Sequence, residues 1–220
     1  MSKNLGPIHF MMYEKIKFQD KISNYLMDDN TEELDKIFPK VSDKPLEDLV
    51  DQENIHGWLS ARIDMVENRL ARAIGLSKNT EEKFYELGKI EGAKEKLDSL
   101  EEVFDKLNLR LLDGMPCDRA LSAGLDDKGK LLLITNANLH KKYEEDMIDP
   151  QKSINNTCEG GHGHDSHESF EIGKIDKIEN TSEKSRYHDM RYQFIKGFLE
   201  KSPYSVERIN GLDFKIFKKS

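Results

Sequence analysis

The chain has 220 residues, of which 35% are charged and 36% are hydrophobic, and its formal net charge at pH 7 is −8. This length fits a single domain, residues 1–220, with a core of its own. The negative charge excludes general binding to nucleic acid, which needs clustered Lys and Arg. No apolar run approaches the ~20 residues of a membrane-spanning helix. Two cysteines and no export signal at the start of the chain indicate a cytoplasmic protein.

Apolar residues recur at helical spacing through residues 1–114, which predicts an N-terminal antiparallel helical bundle. Pro7 favours the first turn of the first helix, and Gly75 is typical of a residue that follows a helix. Asn30 is expected to cap a short helix that stops before Pro39. The predicted helices span about residues 7–28, 30–38, 53–74 and 80–113, with a short piece at 45–50 and with Gly88 and Gly92 as points where the last helix could bend.

The second part, residues 115–220, predicts one helix and a small sheet. The run LLLIT at 131–135 is β-prone, and two alternating runs within 204–217 flank Asn210-Gly211, the signal of a hairpin with a two-residue turn. An isolated hairpin is marginal, so we expect 131–135 to pair with it as a third strand. A helix is predicted at 183–201, and 150–182 reads as a polar, His-rich insertion with at most a short strand in FEIGKI. The predicted fold class is α+β, mainly α, with a C-terminal three-stranded antiparallel sheet.

Two segments share a histidine register. IHFMMYEKI begins at residue 8 and IHGWLSARI at residue 55, so His9 and His56 each lie near the start of a long helix and beside its apolar face. The connection between the two helices is long enough for both to run in the same direction. The next helix then returns and ends near LDGMPCDRA, which brings Cys117 to the same end. We therefore expect His9, His56 and Cys117 to converge, with His140 as a fourth candidate.

Imidazole and thiolate ligands suit a divalent transition metal, zinc first, with nickel and iron as alternatives. Glu14, Asp113 and Asp118 are candidates for further ligands or for acceptors of the imidazole N–H groups. The same residues allow a second interpretation, in which Cys117 is a nucleophile with a neighbouring imidazole as its base. Whether such a metal is structural or catalytic, and therefore whether the protein is an enzyme, stays open at this point.

The segment GGHGHDSHE, residues 160–168, is a separate signal. Its histidines, His162, His164 and His167, lie in a polar stretch of the kind that binds zinc, nickel or copper weakly. We expect a second, weak metal site there.

Two other classes of protein compete with the metal-binding interpretation. The first is a sensor or binding module with a bundle pocket for a small molecule or a haem-like group, lined by Tyr13, Trp58 and His188. The second is an interaction protein without a site, in which the histidines are packed at the edge of the core. No nucleic-acid or membrane partner is expected, and homo-oligomerisation is left open.

The segments GPIHFMMYEKI, IHGWLSARI and LLDGMPCDRA together resemble a family of mainly helical proteins from anaerobic microbes. That family shares a GP-x-H start, an IHGWL segment, an LDGMPCD turn and a Leu-His pair like Leu139-His140. The resemblance covers the chain except the His-rich insertion. It implies no mechanism, because the family has no established activity.

Overall fold

A computed structural model describes residues 5–148, 173–175 and 182–219. Besides three short 3-10 turns at Leu46–Asp48, Pro116–Asp118 and Lys141–Tyr143, its elements are seven helices and five strands within those ranges. In chain order they are α1 (Pro7–Leu26), α2 (Glu32–Ile37), α3 (Ile55–Leu76), α4 (Thr80–Gly92), α5 (Leu100–Asn108), β1 (Leu121–Leu125), β2 (Leu131–Thr135), α6 (Glu144–Ile148), β3 (Gly173–Lys174), α7 (Arg186–Phe198), β4 (Tyr204–Arg208) and β5 (Phe214–Lys218).

The two long helices α1 and α3 pack side by side and run in the same direction. The rings of His9 and His56, near their starts, are 5.9 Å apart, and Gln19 is hydrogen-bonded to Glu67 further along both helices. The predicted ends need two corrections. Gly75 lies inside α3, whose C-cap is Ser77, and the residue before α2 is Thr31 rather than Asn30.

The predicted helix at 80–113 is wrong as one element, because α4 ends at Gly92 and α5 starts after Ser99. Ser99 accepts a hydrogen bond from the backbone N–H of Glu102, and the Glu102 carboxylate accepts the Ser99 N–H in return, so α5 has its own N-terminal cap. Gly88 and Gly92 do not bend a longer helix. They lie where α4 meets α7, and a Cβ added to either would come within 2.1 Å of a backbone oxygen of Phe194 or Phe198.

The sheet contains the three predicted strands, the short strand that the sequence allowed in FEIGKI (β3) and a further strand, β1, in the order β3-β1-β2-β5-β4. β2 pairs antiparallel with β5, and β5 with β4, as predicted. β1, which the sequence did not reveal, pairs antiparallel with β2, and β3 is parallel to β1. The predicted two-residue turn is wrong, because five residues, 209–213, connect β4 and β5. The Ile209 N–H donates to the Asp213 carbonyl across this loop, and Asn210 Oδ1 accepts the N–H groups of Leu212 and Asp213.

Two apolar cores lie along the paired helices α1 and α3. One is built on their first halves, with Met12, Ile16 and Ile63, and the other on their second halves together with α4, α5, α7 and the sheet. Between the two lies a layer of buried polar side chains that includes Lys15, Gln19 and Glu67. Within the described part of the chain, no helix combines the length and the apolar character needed to cross a membrane.

Candidate functional site

His9 and His56 meet as the sequence predicted. Their ring centroids are 5.9 Å apart in an edge-to-face arrangement, with His9 buried and His56 partly exposed. The Nδ1 atom of His9 accepts a hydrogen bond of 2.9 Å from the Gly6 N–H, so this histidine also caps the start of α1. In the neutral ring the proton is then on Nε2, and binding a metal would require the Gly6 hydrogen bond to break.

His140 does not join this pair. Its Nδ1 atom lies 3.0 Å from Glu67, which is 11 residues beyond His56 on α3 and therefore about 16 Å further along the helix axis. Cys117 is half-buried in the 3-10 turn at 116–118. Asp118 accepts the Met115 N–H there. No three His, Cys, Asp or Glu side chains in the described ranges are grouped so as to hold a metal ion.

The remaining predicted site residues fall into two groups. Tyr13 and Trp58 pack against each other in the first core, and the Tyr13 hydroxyl donates to the carbonyl of Ser42. His188 is fully buried between Ser185 and Thr135, with ring-nitrogen distances of 2.7 and 3.3 Å to their hydroxyls. Burial lowers the pKa of His188 to about 2, so this histidine is neutral and structural. The loop histidines His162, His164 and His167 lie outside the described residues.

One group of buried ionisable side chains was not predicted as a site from the sequence. Five ionisable side chains from distant parts of the chain are buried together at the seam between the two cores. We call them the charge cluster: Lys15, Glu67, Asp113, His140 and Arg191. His140 lies at their centre. Its two ring nitrogens are 3.0 Å from Glu67 Oε2 and 3.3 Å from Asp113 Oδ1. Asp113 is thus a hydrogen-bond partner of an imidazole, as the sequence suggested, and the imidazole is that of His140.

Opposite charges stabilise the ionised forms inside the cluster. Burial alone would raise the pKa of Asp113, but the Arg191 guanidinium at 2.8 Å and the His140 ring outweigh it and hold the pKa well below its usual range. Burial alone would lower the pKa of His140, but the charge of Glu67 and the hydrogen bonds to both carboxylates raise it. The two carboxylates therefore favour the protonated form of His140, in which each ring nitrogen can donate to one of them.

Arg191 and Tyr187, both on α7, pack against the other side chains of the cluster. The Tyr187 ring stacks on His140 with 3.5 Å between centroids, and its hydroxyl accepts a hydrogen bond from Arg191 Nη2. Asp113 Oδ2 and Arg191 Nε and Nη1 are buried without a hydrogen-bond partner among the described residues. Buried polar atoms left over in this way are uncommon and mark a strained or functional position.

Lys15 connects the cluster to a small half-open cavity between α1, the end of α5 and residues 113–121. Its ammonium donates to Asn108 Oδ1 at 2.7 Å, and the side chain is almost fully buried. Burial lowers the pKa of Lys15 to about 8, against the opposing charge of Asp113. The cavity has a volume of about 20 Å³, and its lining includes Lys15, Asn108, Asp113, Met11, Met12, Met115 and, at the exposed rim, Arg119.

A signal for this cluster was present in the sequence. Lys15 lies three residues after Met12 on the buried face of α1, Glu67 follows Ile63 by four residues, and Arg191 follows Tyr187 by four. Polar residues at apolar positions of a helix are buried only at a cost, unless they pair. Three such interruptions on separate helices indicate a shared polar site, although they do not indicate which residues meet.

Comparison of the chain with protein-family models, with curated proteins and with solved structures gives no match. The function must therefore be inferred from the geometry of the site.

Replacing Lys15 by Met is expected to raise the free energy of unfolding at pH 7 by about 1–2 kcal/mol, because the buried ammonium is destabilising. The folded pKa of about 8 lies below the ordinary 10.5. Between pH 8 and 10.5 the unfolded chain therefore binds more protons at Lys15 than the folded chain does. The destabilisation caused by Lys15 decreases as the pH rises through this range. The difference between Lys15→Met and the wild type should shrink over that range in urea unfolding. A difference that is constant from pH 7 to 10.5 would contradict this assignment.

Proposed function

We propose that the protein binds a small carboxylate-bearing molecule in the cavity beside the charge cluster. The observation that carries this proposal is the position of Lys15, a buried cation at the wall of a small, half-open cavity in a chain of net charge −8. The proposal belongs to the class of small-ligand binding modules. The cavity volume of about 20 Å³ speaks against a haem-like ligand at this place.

The charges of the cluster favour an anion. Glu67 and Asp113 supply two negative charges, which His140 and Arg191 balance through direct contacts. Lys15 adds a further buried cation on the cavity side of the cluster. The exposed Arg119 at the cavity rim adds a further positive charge. An anion in the cavity would lower the energy of the buried ammonium, since opposite charges attract strongly where water is excluded.

The size and the lining of the cavity favour a carboxylate over larger anions. A volume of about 20 Å³ accommodates roughly one water molecule, so one carboxylate oxygen would occupy it and the rest of the ligand would lie in the half-open mouth. Ammonium, amide and guanidinium donors from Lys15, Asn108 and Arg119 match the oxygens of a carboxylate. The methionine side chains in the lining offer an apolar surface for a short alkyl chain.

Isothermal titration calorimetry with acetate, propanoate and inorganic phosphate tests this function. We expect the carboxylates to bind the wild type, Lys15→Met to lose at least about tenfold in affinity, and Lys17→Met, an exposed neighbour on α1, to bind normally. Because a bound anion raises the pKa of Lys15, binding at pH 8 should take up about half a proton. This uptake is measured by comparing buffers of different ionisation enthalpy.

Two outcomes would contradict the proposal. One is no binding of either carboxylate by the wild type, and the other is equal binding by Lys15→Met. If phosphate binds more tightly than either carboxylate, the ligand is instead an oxyanion of higher charge.

We place this binding function in the cytoplasm, on the grounds of the cysteine content alone.

A metal-binding function at His9 and His56 is a second candidate, favoured by the 5.9 Å approach of the two rings. Two imidazoles need at least one further ligand for a zinc site, which water, Cys117 or another molecule would have to supply. The hydrogen bond from Gly6 to His9 Nδ1 opposes this function, since His9 must give it up in order to bind a metal through Nε2 with a proton on Nδ1.

Zinc binding by the full chain tests this candidate, in a background in which His162, His164 and His167 are each replaced by Asn. We expect stoichiometric zinc and a rise in melting temperature with zinc, both lost on His56→Ala, because metal bound only to the native state stabilises it. Zinc content at background in the triple variant, with no change in melting temperature, would exclude the pair as a metal site.

A further inference from the structure

We infer that the outer edge of β4 pairs with the same edge of a second copy of the chain, so that two five-stranded sheets join antiparallel across a two-fold axis. The inference does not depend on the proposed carboxylate site. It is carried by the backbone groups that β4 leaves unpaired and by the order of the side chains along the strand.

The outward backbone groups of β4 follow from its register on β5. β4 is the last strand in the order β3-β1-β2-β5-β4. At one end of the ladder the Ile209 N–H donates to the Asp213 carbonyl, and at the other the Lys219 N–H donates to the Pro203 carbonyl. Hydrogen-bonded and non-hydrogen-bonded pairs alternate in an antiparallel ladder. The odd-numbered residues of β4 therefore bond to β5, and the even-numbered residues direct their N–H and C=O groups outward.

Most of these outward groups have no hydrogen-bond partner within the part of the chain that the structure describes. The Tyr204 N–H donates to Ser202 Oγ at 3.1 Å. The carbonyl of Tyr204 and the N–H and C=O groups of Val206 and Arg208 make no hydrogen bond there. A sheet edge of this kind is a template for a further strand, and β4 has neither a proline nor a bulge to prevent such pairing.

The sequence of β4 is self-complementary when the strand pairs antiparallel with a copy of itself. Because the even-numbered residues point outward, the central pair joins Val206 to the partner's Val206 through two hydrogen bonds. The same register places Ser205 opposite the partner's Glu207, and Tyr204 opposite the partner's Arg208. Neither charged residue of the strand then faces a like charge, and the Ser205 hydroxyl can donate to the facing carboxylate.

The side chains that would face each other on one side of the joined sheets are accessible. Ser205 and Glu207 alternate with the buried Tyr204 and Val206, so they lie on the opposite face of the strand, where Glu207 is exposed and Ser205 is partly exposed. A two-fold contact uses the same patch of both copies. A five-residue edge buries less area than a standard interface, so we expect a weak dimer with a Kd on the order of 10–100 µM.

Analytical ultracentrifugation of the full-length chain, from about 5 to about 500 µM, tests the inference. We expect a monomer–dimer equilibrium. Ser205→Glu places like charges opposite each other twice in the dimer and should weaken it about tenfold, whereas Ser205→Lys places opposite charges there and should strengthen it about threefold. Lys128→Met, in the exposed turn between β1 and β2, changes the net charge as much as Ser205→Glu and should dimerise like the wild type.

Amide hydrogen exchange identifies the surface that pairs. The N–H groups of Val206 and Arg208 should exchange about fivefold more slowly at the highest concentration than at the lowest, while those of Ser205 and Glu207, which bond to β5, should be protected throughout. A chain that stays monomeric over the whole range overturns the inference, and so does a dimer in which the Val206 N–H stays unprotected. Equal protection of Val206 at every concentration also overturns it, because another segment of the same chain then covers the edge.

Discussion

Replacing Arg191 by Met is expected to lower the free energy of unfolding by about 3–5 kcal/mol. Arg191 contacts Asp113 at 2.8 Å with almost no exposure to water, and it also donates to Tyr187. Its loss leaves Asp113 with one cationic contact, His140, instead of two. A buried carboxylate that loses a charged partner is costly, because the desolvation of its charge is no longer compensated.

Urea unfolding measures this change, with Lys89→Met as the matched control. Lys89 pairs with Glu200 at 3.4 Å on the surface, with more than a third of each side chain exposed, so its loss should cost far less stability than the loss of Arg191. Combining Arg191→Met with Asp113→Leu should recover part of the stability, since an apolar pair replaces a broken ion pair. A loss from Arg191→Met no larger than that of the control would show that the charge cluster does not hold the two cores together.

Gly88→Ala is expected to destabilise the protein by about 3 kcal/mol, the upper end of the range for overpacked interiors. A Cβ at Gly88 would lie 2.1 Å from the carbonyl oxygen of Phe194, and one at Gly197 would lie 2.0 Å from that of Tyr85. These atoms belong to the backbones of α4 and α7, which must move apart to admit a methyl group.

The sign of this effect makes the measurement decisive. In a helix that does not pack so closely, Gly→Ala stabilises by about 1 kcal/mol through helix propensity. Gly6→Ala is the control, because an added Cβ there meets its first neighbour, His9 Nδ1, only at 4.0 Å. Thermal and urea unfolding should show a large loss for Gly88→Ala and a change within ~0.5 kcal/mol for Gly6→Ala. Stabilisation by Gly88→Ala would contradict the close packing of α4 on α7.

Local patterns in the sequence were sufficient where one residue's neighbours along the chain decide its structure. Apolar spacing predicted α1 and α3, and alternation predicted the pairing of β2, β5 and β4. The length of the connection between α1 and α3 predicted that His9 and His56 would meet. The capping residues Ser99 and Glu102 were also readable, and they would have separated α5 from α4.

Other elements depended on contacts between distant parts of the chain. β1, with the sequence LSAGL, has little β propensity of its own, and it is a strand because the exposed edge of β2 offers it hydrogen-bond partners. The five-residue loop between β4 and β5 depends on the side-chain hydrogen bonds of Asn210 and on Arg208, which donates to the Gly211 carbonyl.

The site itself was decided by tertiary structure. The sequence placed His9, His56, Cys117 and His140 together, but His140 instead binds Glu67 and Asp113 in the charge cluster. Members of that cluster are separated by as many as 176 positions, from Lys15 to Arg191, and each alone is an ordinary polar residue. Their pKa values and their pairing arise only when folding removes water from all of them at once. Electrostatic interactions of this strength depend on burial, which a local pattern does not contain.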